Sequence, residues 1–442
     1  MQMTDPAEVR GSPTVETSVV EGGLGAPDVT QLAQVDLTFP VTRIDPDYSS
    51  YQALSPRTQP SGWTYTDPSG SSNLTMIKVT SSSVPYSNSG MMCGNGYADA
   101  GNFASHPWQS GDDWFITVAT FQPDDQRTWL VDVQLTGAGA NSLNDWRELT
   151  GSLAPQADVA FSFSNNASTP HIAHIVNGTT VHRIDTTNGS MALADTGNFP
   201  WTIGMSVGAS PWLMHDKNDD WFVSTSQSSE EVRVWQESTD TKRTSSYNCN
   251  EGRMSRDGLY VCLSNISGDN YRCWNLSANT YSTLITGITQ HSGSLQSRWM
   301  ATNWDVSAPW RSCLANPTSW DDDLFGYLGS TPYDGGEVHY SGNWIQDVSG
   351  GYDNQYALGS ASHSSNQDNW CKTGLVLVNT GGTDARYVGC SHAGPYGGNY
   401  WGLCFQNMSP SGHLAGFSSK HAYSNTNVTS RFDLYLAVMP RV

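Results

Sequence analysis

The stretch PWQSGDDWFITVATF, Pro107 to Phe121, returns later in the chain as PWLMHDKNDDWFVSTSQ, Pro211 to Gln227. Both copies run Pro-Trp, a polar turn, Asp-Asp-Trp-Phe and then a strand-like segment of alternating residues. Apolar residues at every second position mark a β-strand, and a copied strand-turn pattern marks a repeat architecture.

Working outward, the same kind of unit recurs as MSRDGLYVCLSN (Met254 to Asn265) and MSPSGHLAGFSS (Met408 to Ser419). Each is a turn closed by glycine that feeds an alternating strand. Each then leads into a second strand, NYRCWNL and RFDLYLAVM. Unit starts fall near Trp63, Trp114, Val159, Trp221, Leu259, Trp299, Tyr356 and Leu414. Their spacing, roughly 40 to 60 residues, matches four-stranded propeller blades.

The expected fold is therefore all-β, a β-propeller of seven or eight blades. Eight units are visible, and one of them can be an insertion in a seven-bladed ring. A single blade cannot bury both of its faces, so blades must stack, and closing the ring removes exposed sheet edges. The competing architecture is a pair of β-sandwiches, which also shows short alternating strands. Residues 1–40 hold Pro, Gly, Thr, Val and acidic residues without either period, and read as an extended N-terminal arm that a partner orders. The propeller domain is expected over 41–442.

Composition narrows the function classes. The chain has 442 residues, 42 of them glycine, with 14% charged residues and a net charge of −20. That balance opposes nucleic acid and anionic membrane surfaces, which need clustered Lys and Arg. No apolar run approaches membrane-span length, so membrane insertion is not expected. The start MQMTDPAEVRGSPTVE lacks the basic and apolar regions of a secretory signal, so export by that route is not expected unless the chain is already mature. The 8 cysteines include no C-x-x-C pair, which argues against structural zinc; most read as buried strand residues, with a Cys262 to Cys273 disulfide left open.

The segment VTRIDPDYSSYQALSPRTQPSGW, Val41 to Trp63, resembles the start of the propeller domain in polysaccharide lyases of the ulvan lyase and oligogalacturonate lyase kind. ITQHSGSLQSRWMATNW, with His291, extends the likeness, as does LVLVNTGGTDARYVGCSHAG, with His392, followed by NMSPSGHLAGFSS. The resemblance implies a propeller and, where chemistry is retained, β-elimination on an acidic polysaccharide. The oligogalacturonate branch carries His-x-His before its last-blade turn. Here that stretch reads LCFQNMSPSG, with Phe405 and Gln406, so a metal site of that type is not expected.

A β-eliminating lyase must neutralise a uronate carboxylate, take the C5 proton and protonate the leaving oxygen. His291 and His392 are the candidate bases, and the competing reading makes each a structural residue of a polar loop. Arg57 can clamp a carboxylate and Gln59 a sugar hydroxyl, unless Arg57 simply pairs with a nearby acid. In PYGGNYWG, the rings of Tyr396, Tyr400 and Trp401 form a platform for sugars or pack beneath a loop.

His171 and His174 form an H-x-x-H, but residues three apart on a strand point to opposite faces, so the pair is set aside as a metal site. The runs Asp112-Asp113, Asp219-Asp220 and Asp321-Asp322-Asp323 either hold calcium, the one cofactor considered, or are turn residues facing water. No G-x-S-x-G elbow is present and nothing suggests a nucleotide cofactor.

Three expectations follow. The first is a non-enzymatic extracellular or virion-associated propeller that binds a polysaccharide or surface glycan, or docks into an assembly through residues 1–40, or both. The second is an active polysaccharide lyase, and the third a structural scaffold such as a viral tail component.

Overall fold

A computed structural model describes residues 49–68, 74–87, 92–94, 103–105, 113–121, 127–136, 140–150, 161–164, 172–177, 180–185, 193–197, 212–226, 229–249, 251–266, 270–286, 294–295, 299–302, 310–313, 320–321, 338–340, 356–361, 374–379, 385–392, 407–408, 414–419 and 431–439. The arm expected over 1–40 lies outside them.

The described part begins with a short helix, α1 (Ser49–Ala53), and a 3-10 turn over Pro56–Thr58. Among the described residues thirty strands follow, in seven antiparallel sheets. β1 (Thr64–Thr66) and β2 (Thr75–Lys78) belong to a sheet discussed below. The second sheet holds β3 (Met92–Gly94), β4 (Phe103–Ser105), β5 (Asp113–Phe121), β6 (Arg127–Thr136) and β7 (Ala140–Leu149). The third holds β8 (Phe161–Phe163), β9 (Ile172–Asn177), β10 (Thr180–Asp185) and β11 (Leu193–Gly197). The fourth holds β12 (Trp212–His215), β13 (Trp221–Thr225), β14 (Val232–Gln236) and β15 (Thr241–Thr244).

The fifth sheet holds β16 (Glu251–Met254), β17 (Tyr260–Ile266), β18 (Asn270–Asn275) and β19 (Thr280–Thr286). The sixth holds β20 (Ser294–Leu295), β21 (Trp299–Thr302), β22 (Trp310–Cys313) and β23 (Trp320–Asp321). The seventh holds β24 (Val338–Tyr340), β25 (Tyr356–Ala361), β26 (Gly374–Asn379) and β27 (Ala385–Cys390). Finally β28 (Asn407–Met408), β29 (Leu414–Ser419) and β30 (Asp433–Val438) pair with β2 and β1 in one sheet, ordered β1-β2-β30-β29-β28. In the second sheet β3 and β4 both pair with β5, so they are two pieces of one interrupted edge strand.

The chain is thus all-β and propeller-like, a series of up-and-down sheets in sequence order rather than two facing sandwiches. Eight unit starts become seven sheets for a specific reason. The unit near Trp63 and the unit near Leu414 are two parts of the joint sheet, where β2 lies against β30 with Ile77 opposite Leu436.

Alternation along β30 explains the stacking. Leu434 and Leu436 pack with Ile77, Ile116, Val118 and Val131 toward the second sheet. Tyr435 and Ala437 face the other way, into a cluster with Leu358, Leu375 and Leu377 of the seventh. A strand buried on both faces reads as a continuous apolar run, which is what LYLAVM, Leu434 to Met439, is. Met214, Val223, Val261, Leu263 and Trp274 fill the corresponding layer between the fourth and fifth sheets. In that layer a Cβ on Gly252 would lie 2.9 Å from Val232 Cγ1, so the two sheets approach as closely as a residue without a side chain allows.

Cys262 and Cys273 face each other across β17 and β18, yet both are free and buried, so the disulfide left open by the sequence is not formed. Burial pushes the Cys262 thiol well up, the neighbouring Cys273 adding to this, which keeps it protonated and inert.

Candidate functional site

Of the residues singled out from sequence, His392 lies at one corner of the joint sheet, while Arg57 and Gln59 lie in and just after the 3-10 turn. α1 inserts Tyr51, fully buried, over the end of β27. There the Tyr51 ring lies flat on that of His392, centroids 3.3 Å apart and planes 3° from parallel. His392 has a left-handed backbone (φ 49°) and is 1% exposed. Its Nδ1 lies 3.5 Å from Cys390 Sγ and its Nε2 4.0 Å from Asp67 Oδ1. Asp67 is itself anchored, its Oδ2 accepting from the Cys390 amide at 2.6 Å. Burial pushes the phenols of Tyr51, Tyr65 and Tyr435 well above their usual range, so all three are neutral at ordinary pH.

Gln59 and Arg57 sit beside this cluster in different states. Gln59 Nε2 donates to Leu54 O at 2.8 Å, satisfying a carbonyl just past α1. The Arg57 side chain is exposed, while its carbonyl accepts from Arg431 Nη2 at 2.9 Å. His291, Tyr396, Tyr400 and Trp401 lie outside the described residues.

A second constellation, between the third and fourth sheets, escaped the sequence reading. β9 carries His174 and the end of β12 carries His215, both buried. The β12–β13 turn supplies Asp219, whose left-handed backbone (φ 57°) aims its carboxylate into the interface. Asp216 holds that turn, its Oδ1 accepting from the amides of Asp220 at 2.8 Å and Trp221 at 3.0 Å. The Asp219 carboxylate takes His215 Nδ1 at 2.9 Å and the Ser164 hydroxyl from the end of β8. The two imidazole centroids are 4.6 Å apart, with Phe222 packed against both.

Arg183, on β10, donates from Nε to His174 Nε2 at 3.3 Å and is clamped by both oxygens of Glu237, one at 2.8 Å. Burial alone would raise the Asp219 carboxyl. The His215 and His174 charges, with hydrogen bonds from His215 and Ser164, outweigh it and hold Asp219 well below the usual carboxylate range.

Two expectations change here. Asp219 is not a turn residue facing water; only 11% of its side chain is exposed, because the left-handed backbone turns it inward. The strand rule compares His174 only with His171, which lies outside the described residues. Its partners come from the next sheet, and the available signal was the His-x-x-x-Asp spacing of His215 and Asp219 across a tight turn. Asp220 stays outside the cluster and binds Gln236 Nε2 at 2.7 Å and the Ser238 amide at 2.8 Å.

No family model and no curated protein matches the chain. Solved structures similar to it include the hydrazine synthase of Kuenenia stuttgartiensis, at 10% identity over 71% of this chain and 91% of that one, TM-score 0.39. The Cps50 (Swd1) β-propeller domain of Myceliophteria thermophila aligns at 11% identity over 72% of this chain and 92% of that one, TM-score 0.40. Hsv2 of Kluyveromyces lactis aligns at 9% identity over 59% of this chain and 70% of that one, TM-score 0.36. Likeness at this level says nothing about chemistry.

Proposed function

We propose that the chain is a non-enzymatic, seven-bladed β-propeller, extracellular or virion-associated, that binds a polysaccharide or surface glycan and docks through residues 1–40. The closed ring is supported by the order in which sheets touch. β29 and β30 meet β3, β4 meets β8, β8 meets β12, β12 and β13 meet β16, and β21 meets β24. The seventh sheet shares its core with the joint sheet, which leaves the fifth and sixth as the junction that completes the circle.

The observation that carries the non-enzymatic reading is the Tyr51–His392 stack. A general base must reach the proton it takes, within hydrogen-bond distance or through one water. His392 is covered by Tyr51 on one ring face and enclosed by Asp67 and Cys390, so a sugar reaches it only after α1 leaves. Gln59, already bonded to Leu54, is no freer to bind a hydroxyl. Glycan recognition then falls to Tyr396, Tyr400 and Trp401, which suit the apolar faces of sugar rings.

Among the described residues the exposed side chain of Arg57 favours a lyase, and His291, the other candidate base, lies outside them. Incubation with ulvan, pectate and alginate, following absorbance from new C4–C5 double bonds, separates the two readings. No product is expected, while a glycan array is expected to show binding that the Tyr400→Ala, Trp401→Ala double variant loses. Sustained product formation would overturn the proposal in favour of β-elimination, and a blank array would leave a structural scaffold.

A further inference from the structure

We propose that His174, His215 and Asp219 form a site for a divalent transition-metal ion of the zinc class, stapling the third sheet to the fourth. One donor atom from each residue lies within 4.8 Å of the other two. A tetrahedral zinc site holds its ligand atoms about 3.4 Å apart, given metal–ligand bonds of about 2.1 Å, so the donors need to close by at most about 1.4 Å.

The contacts already made indicate which atom of each side chain the ion meets. His215 Nδ1 faces Asp219 Oδ1 at 2.9 Å, so an ion seated between them takes the place of the shared proton and leaves the imidazole protonated at Nε2. His174 accepts at Nε2 from Arg183, so its lone pair also points along a polar contact, and at 3.3 Å that contact is long enough to be displaced by an ion. Asp219 offers the ion the carboxylate oxygen that faces His215, while its other oxygen keeps the Ser164 hydroxyl.

Charge and donor type choose the ion. The Arg183 guanidinium is matched by Glu237, so the positive charge nearest the site is already compensated. Two imidazoles and one carboxylate favour zinc and its neighbours over calcium, which takes oxygen ligands throughout. The ligands come from both sheets, His174 from β9 and His215 and Asp219 from β12 and its turn, so binding joins two blades and the ion acts as a staple.

The test uses the untagged full chain, stripped with a chelator and titrated with zinc by calorimetry and with cobalt by absorption. One equivalent of zinc should bind and raise the melting temperature. Cobalt should give the d–d bands of a four-coordinate nitrogen and oxygen site, without the thiolate charge-transfer band that binding at Cys249, Cys262 or Cys273 would produce. His174→Gln, His215→Gln and Asp219→Asn should each weaken zinc binding more than about tenfold. Glu231→Gln, on the same sheet and paired with Arg233, should bind as the parent does, and calcium should not compete.

Absence of stoichiometric zinc binding by the folded parent chain would overturn the proposal. So would a thiolate cobalt spectrum, or full affinity in all three ligand variants. Because the parent spectrum alone reports the donor set, the result stands even where a variant fails to fold, and it is independent of whether the chain binds glycan.

Discussion

Lys78 Nζ lies 3.1 Å from Asp433 Oδ2, both side chains fully buried, and this pair joins β2 near the start of the fold to β30 at its end. Arg431 Nη2 reaches the same carboxylate oxygen, and Thr80 Oγ1 donates to the other at 3.2 Å. Lys78 also donates to Pro56 O at 2.7 Å, which ties the 3-10 turn down. Removing one partner of a buried pair strands the other charge. Lys78→Met leaves Asp433 with Arg431 and should cost about 3 kcal/mol, the low end of that range. Asp433→Asn removes the carboxylate that both cations share and should cost more, about 4 to 5 kcal/mol. Urea unfolding of both variants checks the order; an Asp433→Asn loss smaller than that of Lys78→Met would show that the ion pair does not hold the joint sheet.

The Tyr51 ring anchors α1 by packing rather than by helix propensity, since a helix of this length does not stand alone in water. Tyr51→Ala should cost about 3 to 5 kcal/mol through the cavity left over His392 and Tyr65. Tyr51→Phe keeps the stack and should cost about 1 kcal/mol. Limited proteolysis gives a second readout, with cleavage before Trp63 accelerated in the alanine variant alone. Equal protection of both variants would mean that the segment is held elsewhere.

How much was legible from sequence follows from the range of each interaction. The Asp-Gly turn of MSRDGLYV and the Asp-Asp-Trp-Phe copy are local, and they located the strands Trp221–Thr225 and Tyr260–Ile266 within a residue or two of where they lie. The joint sheet was not legible, because pairing of Ile77 with Leu436 leaves no local trace; counted along the chain, its two halves looked like two units. The His174, His215 and Asp219 cluster failed for the same reason. Strand alternation judges which residues share a face within one strand, whereas these side chains meet across a sheet interface. His392 was visible as a histidine before a blade turn, but its burial depends on a ring delivered from α1.

Asp216 and Asp219, three residues apart, have carboxyls shifted in opposite directions. Asp219 is depressed, so its contribution to stability is present above the unfolded carboxylate pKa of about 4 and is lost as pH falls toward its folded value. Asp216 is raised, mainly by burial, partly offset by the Asp220 and Trp221 amides; protonating it favours the fold as pH drops. Asp219→Asn should therefore lower stability at pH 7 by about 2 to 3 kcal/mol and flatten the acid limb. Asp216→Asn keeps an oxygen for the two amides, should change neutral-pH stability by less than about 1 kcal/mol, and should steepen the acid limb. Urea midpoints followed from neutral pH down to about pH 2 distinguish the two, and parallel acid limbs in both variants would contradict the assignment.

Gly258 closes the turn of MSRDGLYV, its backbone left-handed at φ 72° and its amide donating to Ser255 O at 2.9 Å. A Cβ there would lie 2.9 Å from Trp221 Cδ1 and 3.0 Å from Asp216 Oδ2, because the turn of the fifth sheet nests against the start of β13 in the fourth. Gly258→Ala thus combines left-handed strain of about 1 to 2 kcal/mol with overpacking of about 1 to 3 kcal/mol. Gly62 separates the two contributions, being left-handed at φ 81° with nothing within 4 Å of its would-be Cβ. Gly62→Ala should lose about 1 to 2 kcal/mol by backbone strain alone. The excess loss in Gly258→Ala, read from urea midpoints, measures how tightly neighbouring sheets interlock through Trp221; equal losses would mean that the Trp221 indole yields and the two sheets are not rigidly seated.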